Sequence, residues 1–597
     1  MMNERLIIWL IVGPLLLAVV APLIQAGLPR RGLPIHAIGH LVLLAAAVAT
    51  FLLPTQSVIV AMQTGGLGVS LSLGAGRPVA AELTVAALLF LAISLASDQL
   101  ARSSRHGVAF LSLLAIAQGA VNLVFLASDL LALYAGLAVL SLCLTVMIGL
   151  DFSDAGRDAG LRVLITLEAP AAVALASFWL IDAQTGTLDL AEVPSRIQSL
   201  GPTSALLLLL PILIALIARV ALAPLQHWVV VGSRVGAAPV AVTIAALAVP
   251  VGGVVFARLV GIATLGNPDL LHALALLAAL SAVLAGLGAL WETNALGMLA
   301  YLAMAQVSLA AVGFATPDGL GAGAGWVGLG GGALALTLLG LGLTSAVRAS
   351  RDTALARLSA ERVGWLSAAA VTIGSLALAP VPPFATFEAR AMLLSSLVLD
   401  GTNWGMLAAL LTVLATFLVT IGALRLPLAL VRSQSPETVG AAENADERPP
   451  RQKGRRRVRL APASDASLPR AIDQLGDVAV ALVGLIALNV LVGLVPVAWL
   501  AGLVGASLTT TPLSLHLACV VLVGVVVLVA VRAVDAPAAL AGRLPVRATR
   551  GVQAILLRYH PERAVDPYLT FGFLLLHLGR LSATILDNTL GRLARAG

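Results

Sequence analysis

The chain has 597 residues, of which 59% are hydrophobic and 11% charged, with a mean hydropathy of +1.01. Soluble domains carry about 25% charged residues, so this composition excludes a soluble globular protein and leaves an integral membrane protein. The formal charge of +7 comes almost entirely from arginine, because Lys453 is the one lysine among 36 basic residues; guanidinium keeps its proton inside proteins, whereas a buried ammonium can lose it.

Apolar windows of about 20 residues predict an all-α polytopic membrane protein with about 14–15 transmembrane helices. They lie near 6–28, 35–53, 82–98, 108–127, 130–150, 160–182, 203–223, 238–262, 269–291, 295–315, 323–346, 364–400, 404–430, 476–500 and 512–533. The first run is too long for a signal h-region and no clear A-x-A site follows it, so it reads as a retained span. Residues 56–81 alternate weakly around glycine turns and read as an extracytoplasmic β-hairpin. Asp129 and Asp151 flank the fifth span as interfacial residues.

The stretch 206–228, LLLLLPILIALIARVALAPLQHW, is interrupted by Pro211 and again by Pro224 and embeds Arg219 in an apolar run. A cation at that depth costs several kcal/mol unless it faces a cavity or a partner, and prolines free backbone carbonyls that the interior must satisfy. Two readings follow: a discontinuous helix beside a polar path, or a kinked packing helix whose arginine snorkels to one face. Farther along, Glu292 and Asn294 sit between spans, with Glu292 read as a solvated loop acid. The run GLGAGAGWVGLGGG (319–332) lacks a following Lys-Ser/Thr, so it signals close helix packing and no phosphate cradle. The 364–400 segment is broken by APVPPF at 379–384 and carries Glu388 and Arg390.

Residues 432–472 form a polar, basic cytoplasmic linker around RQKGRRRVR, a solvated tether that could also touch anionic headgroups. Beyond the spans at 476–533, residues 552–597 form an amphipathic segment suited to the interface or to a neighbouring subunit. Basic residues alternate across the loops. Arg30, Arg31, Arg102, Arg105, Arg157, Arg162, Arg234, Arg348, Arg351, Arg357 and Arg362 fall on one side, against few such as Arg77 and Arg196 on the other. The positive-inside rule then places the N-terminus outside and the C-terminus in the cytoplasm of a prokaryotic inner membrane. Cys143 and Cys519 lie in apolar helices with no disulfide or metal spacing, and His272, His516 and His577 are isolated. No cofactor fingerprint, catalytic constellation or nucleic-acid signature is present.

After an N-terminal unit at 1–107, residues 108–430 divide into two sets of five spans, 108–262 and 269–430. The fourth span of each is interrupted and bears an embedded arginine, Arg219 or Arg390. Corresponding interruptions in two halves point to an inverted-repeat transport site, and an odd number of spans per half makes the halves opposite in topology.

The stretches at 128–150, 159–175, 218–228 (ARVALAPLQHW), 238–249, 296–314 and 379–390 (APVPPFATFEAR) resemble the antiporter-like proton-channel subunits. These occur in respiratory complex I (NADH–quinone oxidoreductase, subunits of the N, M and L type), Mrp antiporters and membrane-bound hydrogenases. The resemblance covers roughly 80–430 and is nearest the N type. It implies a subunit without redox site or cofactor of its own, moving protons or sodium beside other membrane-arm subunits in the lipid bilayer. It also implies a titratable path, and here the chain departs. The family's fifth-span glutamate falls on Ala138, its seventh-span lysine on Arg219, and its twelfth-span lysine or glutamate on Arg390. Its eighth-span base falls near Pro250 or Val251. A histidine before the seventh-span tryptophan is Gln226 here, with His227 next to it, and Arg162 matches a base near the start of span six.

Lysine relays protons in a buried chain because its pKa can move toward neutrality; arginine supplies only a fixed charge. Arg219, Arg390, Glu168, Glu388, His227 and Arg162 are therefore the ion-path candidates. Glu168 is the expected counter-ion of Arg219, while Glu388 stands two residues from Arg390 and points away from it. The scaffold is expected to persist with an altered path. The alternatives are a non-conducting structural subunit, in which Glu168–Arg219 merely fixes helix register, and a stand-alone cation/proton antiporter.

Overall fold

The computed structural model describes residues 2–27, 34–53, 56–64, 67–75, 77–103, 106–358, 363–431, 469–494 and 513–533. Among them, eleven helices are long and apolar enough to cross a membrane, and four shorter apolar helices join them. With each broken helix counted as one crossing, this agrees with the 14–15 read from hydropathy. The linker around Lys453 and the C-terminal amphipathic segment lie outside the described residues.

Helices α1 (Met2–Gly27) and α2 (Ile35–Leu52) turn apolar side chains outward, Leu23 and Val19 among them, as lipid contact requires. Strands β1 (Gln56–Thr64) and β2 (Leu67–Ala75) then pair antiparallel, Gln56 opposite Ala75 and Thr64 opposite Leu67. The hairpin read from the glycine pattern is therefore present, and α3 (Arg77–Ser103) leads back across.

Two runs of five crossings follow. The first comprises α4 (Gly107–Leu126), α5 (Leu130–Ile148), α6 (Asp154–Thr185), a broken crossing of α8 (Pro202–Arg219) and α9 (His227–Val235), and a last crossing of three segments. A short surface helix, α7 (Val193–Gln198), precedes α8. The three segments are α10 (Ala238–Thr243), a π-helical turn (Ile244–Ala248) and α11 (Val249–Thr264). The second run comprises α12 (Pro268–Trp291), α13 (Ala295–Phe314), α14 (Gly319–Ser350), the broken crossing α15 (Trp365–Leu378) and α16 (Ala385–Leu399), and α17 (Asn403–Val431). Helices α18 (Pro469–Leu494) and α19 (Leu513–Ala533) pack on this second run.

Helix starts are set by short polar side chains that satisfy free backbone donors. Asp129 caps α5 at Ala132 N (2.6 Å), Asn267 caps α12 at Asp269 N (2.9 Å), Asn294 caps α13 at Leu296 N (2.9 Å) and Asp318 caps α14 at Gly321 N (2.9 Å). Asp129 thus caps the end of its span as expected and is buried there against the protein. It also accepts Ser72 N at 2.6 Å and so ties the hairpin to the repeat. Pro211 stays inside α8 without ending it, so the break expected there is absent; the interruption belongs to the segment containing Pro224.

The repeats correspond in register over their first spans. Isolated β-bridges join Asp129 to Asp189 and Asn294 to Ala354, with one separation in sequence relating both pairs of positions. Arg258 on α11 donates to Val124 O (2.7 Å), Phe125 O (3.1 Å) and Ala127 O at the end of α4. Arg425 on α17 does the same to Ala289 O (2.8 Å) and Leu290 O at the end of α12. A cation on the last crossing of each repeat thus closes the carbonyl end of the first. Because crossings alternate, residues 127–129, 186–201, 265–267, 315–318 and 400–402 share the hairpin face. Residues 149–153, 236–237, 292–294 and 351–358 lie on the opposite face.

Candidate functional site

The two broken crossings place one buried cation each. In the first, α8 ends at Arg219, residues 220–226 turn, and α9 resumes at His227. The turn is closed by Trp228 Nε1 donating to Ala218 O (3.0 Å) and by Ala223 N donating to Ser281 Oγ on α12 (2.9 Å). Helix α11 crosses here at Gly252, where a Cβ would meet Arg219 O at 2.4 Å; only glycine permits that approach.

Arg219 is 5% exposed. Its Nη2 donates to Ser141 Oγ (2.9 Å) and Leu137 O (3.2 Å) on α5, and Glu168 Oε1 on α6 stands 3.5 Å away. Three helices therefore converge on one guanidinium. Leu137 and Ser141 bracket Ala138, so the methyl group at that position leaves the charge balance to Glu168 from the neighbouring helix. Tyr134, one turn earlier on α5, lies within electrostatic reach of Glu168.

In the second crossing, α15 ends at Leu378 and α16 starts at Ala385. The break is closed by Thr386 Oγ1 donating to Ala377 O, the counterpart of the Trp228–Ala218 bond. Helix α18 reaches it at Gly493, where a Cβ would meet Pro383 O at 2.0 Å. Gly331, Leu334, Phe384, Thr386 and Asn489 line a small cavity beside the break.

Arg390 is 2% exposed and donates through Nη2 to Gln306 Oε1 on α13; Gln306 Nε2 in turn donates to Leu378 O at 3.3 Å. The separation in sequence from Ser141 to Gln306 equals that from Asp129 to Asn294, so equivalent positions of α5 and α13 hold the two arginines. The electrostatics differ. Among the described residues no carboxylate lies within ion-pair distance of Arg390, and α14 offers Gly328 and Gly332 beside this cluster, where α6 offers Glu168. The positions differ too: Arg219 precedes its break and Arg390 follows its own.

The remaining candidates are dispersed. Glu388 pairs with His516 of α19, Oε1 to Nε2 2.7 Å, on another face of α16 from the Arg390–Gln306 contact. His516 is therefore not isolated, and neither is His272, whose Nε2 lies 3.3 Å from Asp400 Oδ2; both partners sit on distant segments that spacing cannot bring together. His227 has its Nε2 buried without a hydrogen bond, and Arg162 and Arg234 lie within its electrostatic reach. Arg162 is half-buried on α6. Glu292 is 4% exposed and forms an ion pair with Arg234 while accepting Thr293 N (3.0 Å) and Asn294 N (2.9 Å), so it is a buried structural acid and not a solvated one.

Between the hubs, α10, the π turn and α11 present Pro250 and Val251 in an apolar, buried run; the eighth crossing offers no titratable side chain before Arg258. Sequence reasoning missed Ser141 and Gln306, which as neutral residues in helices carry no visible signal. It also missed Arg258 and Arg425, whose embedding in VVFARLVGI and IGALRLPLAL was legible. Among the described residues no group of three or more His, Cys, Asp or Glu side chains could hold a metal.

Residues 127–416 match the family described as NADH:quinone oxidoreductase/Mrp antiporter, TM. The chain is 27% identical over 330 residues to NADH-quinone oxidoreductase subunit N of Heliobacterium modesticaldum, covering 54% of this chain and 69% of that one. It is 32% identical over 187 residues to subunit L of Pseudomonas aeruginosa, covering 30% of each. Among solved structures, a chain of the membrane-bound sulfane sulfur reductase, an archaeal respiratory membrane complex, superposes with a TM-score of 0.67 at 19% identity, covering 87% of this chain and 99% of that one. A chain of the Mrp complex from Dietzia sp. DQ12-45-1b gives 0.66 at 19% identity, with 87% and 100% covered. These structural likenesses establish a shared fold.

Proposed function

Because residues 127–416 belong to the NADH:quinone oxidoreductase/Mrp antiporter transmembrane family, we propose that this chain is a membrane-arm subunit of a complex I-like or related assembly. It moves protons or sodium along a path altered from the family's. Electron transfer belongs to partner subunits, and the assembly sits in a prokaryotic inner membrane with the hairpin outside. The observation that carries this reading is the pair of guanidinium groups buried at the two helix breaks, held by the equivalent side chains Ser141 and Gln306. A buried charge at a discontinuous helix is the hallmark of an ion path. Arginine in place of lysine turns a stepping stone into a fixed positive potential, and Glu168 sets its strength in the first half.

A second reading is favoured by the apolar run through Pro250 and Val251: the chain keeps the fold as a structural subunit and passes no ions. Proton entry into vesicles holding the full chain separates the two. If the path conducts, flux is measurable in the wild type and rises at least about a hundredfold, the lower end of a general acid–base contribution, in the double variant Ala138→Glu/Arg219→Lys. Flux in the double variant alone identifies a plugged channel, and flux in neither overturns conduction.

A further inference from the structure

We propose that Glu388 and His516 form a proton-binding station on the outer flank of the second broken helix, built by a helix that lies outside the family-matched segment. Helix α16 divides its polar side chains between two neighbours. Arg390 turns to Gln306 on α13, while Glu388, two residues earlier, meets His516 of α19 with Oε1 and Nε2 2.7 Å apart. The pair is half-buried, with side-chain exposures of 27% and 22% for Glu388 and His516.

Its chemistry suits a proton. The site holds one imidazole and one carboxylate and binds one proton: neutral His516 with ionised Glu388 carries −1, and protonated His516 donating to the same carboxylate carries 0. The proton arrives on an imidazole nitrogen and departs from it, and no other bond forms or breaks. A metal would need a third ligand, which the described residues do not offer here.

The charges around it give the station a consequence. Of the helices packed on α16, α13 carries Tyr301, α14 carries Arg348 at its far end and the capping Asp318, which accepts Ser396 Oγ near the end of α16 (2.6 Å), α15 carries no acid or base, and α17 carries Arg425, bound to carbonyls of α12; Asp400 closes α16 beside His272. Residues 478–494 of α18 and 515–531 of α19 carry no charged side chain besides His516 itself. Arg390 is thus the fixed charge on the same half-helix. An empty station adds a negative charge to the half-helix that carries Arg390, without an ion pair between them, and a filled station removes it. Loading and unloading the pair therefore switches the net charge at the second break between 0 and +1, supplying the titratable element that Arg390 cannot.

This rests on the conducting reading, but the test does not. Infrared difference spectra after a pH step on the full chain in lipid nanodiscs, with ring-labelled histidine, report the imidazole and carboxylate bands of the pair. The expectation is that Glu388→Gln and His516→Gln each remove both bands. Survival of the carboxylate band in His516→Gln, or of the imidazole band in Glu388→Gln, overturns the station. Should Glu388→Gln fail to fold, Glu388→Asp keeps the carboxylate: paired bands at changed frequency support the station, and an imidazole band identical to wild type overturns it. Proton flux measured on the same variants separates the claims. Paired bands without wild-type flux sink conduction and leave the station standing, while wild-type flux with unpaired bands does the reverse. With both in place, His516→Gln lowers flux at least about a hundredfold.

Discussion

Arg390 is the residue on which the second half depends, because it is buried, permanently charged and held by a neutral amide. A hydrogen bond to a charged group contributes about 1.5–3 kcal/mol, and removing one partner leaves the other desolvated. Gln306→Leu is therefore expected to lower unfolding stability by about 2–3 kcal/mol, read as a fall in melting temperature of the purified chain. Gln306→Glu supplies the missing anion and is expected to hold or raise the melting temperature; a loss equal to that of Gln306→Leu contradicts an uncompensated cation. The need for an anion near Arg219 was legible at this scale, since an embedded arginine demands one and Glu168 is the acid of the adjoining span. What could not be read was Glu292 with Arg234, or Glu388 with His516: each partner lies on a helix far away in sequence, and chain spacing carries no information about such contacts.

At the scale of elements, the clamps of Arg258 on α4 and Arg425 on α12 hold the repeats in register. Each guanidinium satisfies carbonyls at a helix C-terminus, where a cation also favours the peptide dipoles. Arg258→Leu and Arg425→Leu should each destabilise by about 2 kcal/mol and, lying in separate repeats, should add in the double variant; stability measured by denaturant titration in detergent checks this. A strongly sub-additive result means the two repeats do not hold independently. The broken crossings were legible as elements because clustered prolines withdraw several backbone donors at once, and an apolar run at membrane depth can accommodate that only by interrupting its helix. The π turn at Ile244–Ala248 was not, since its sequence is that of any buried helix and only packing against α13 and α14 distinguishes it. Pro211 misled because a single proline removes one hydrogen bond, which a packed helix tolerates.

For the whole molecule, the alternation of crossings fixes two faces, and the basic loops predict which of them is cytoplasmic. Ser195, exposed on the hairpin face, and Asp158, exposed near the other, give a direct reading. A membrane-impermeant maleimide is expected to label Ser195→Cys in intact cells and Asp158→Cys only after lysis, against a low background because Cys143 and Cys519 are buried. The reverse pattern inverts the assignment. The same geometry gives the displacement of the two arginines about their breaks a meaning. The crossings run in opposite directions, so a cation ahead of one break and a cation behind the other fall toward the same leaflet. Imperfect mirror halves thereby set both fixed guanidinium groups off-centre, one offset by Glu168 and the other held by a neutral amide, so the charge is uneven between them. On the proposed path an ion would meet its steepest hill off-centre, so any leakage measured is expected to rectify, flowing more readily under one polarity than under the other.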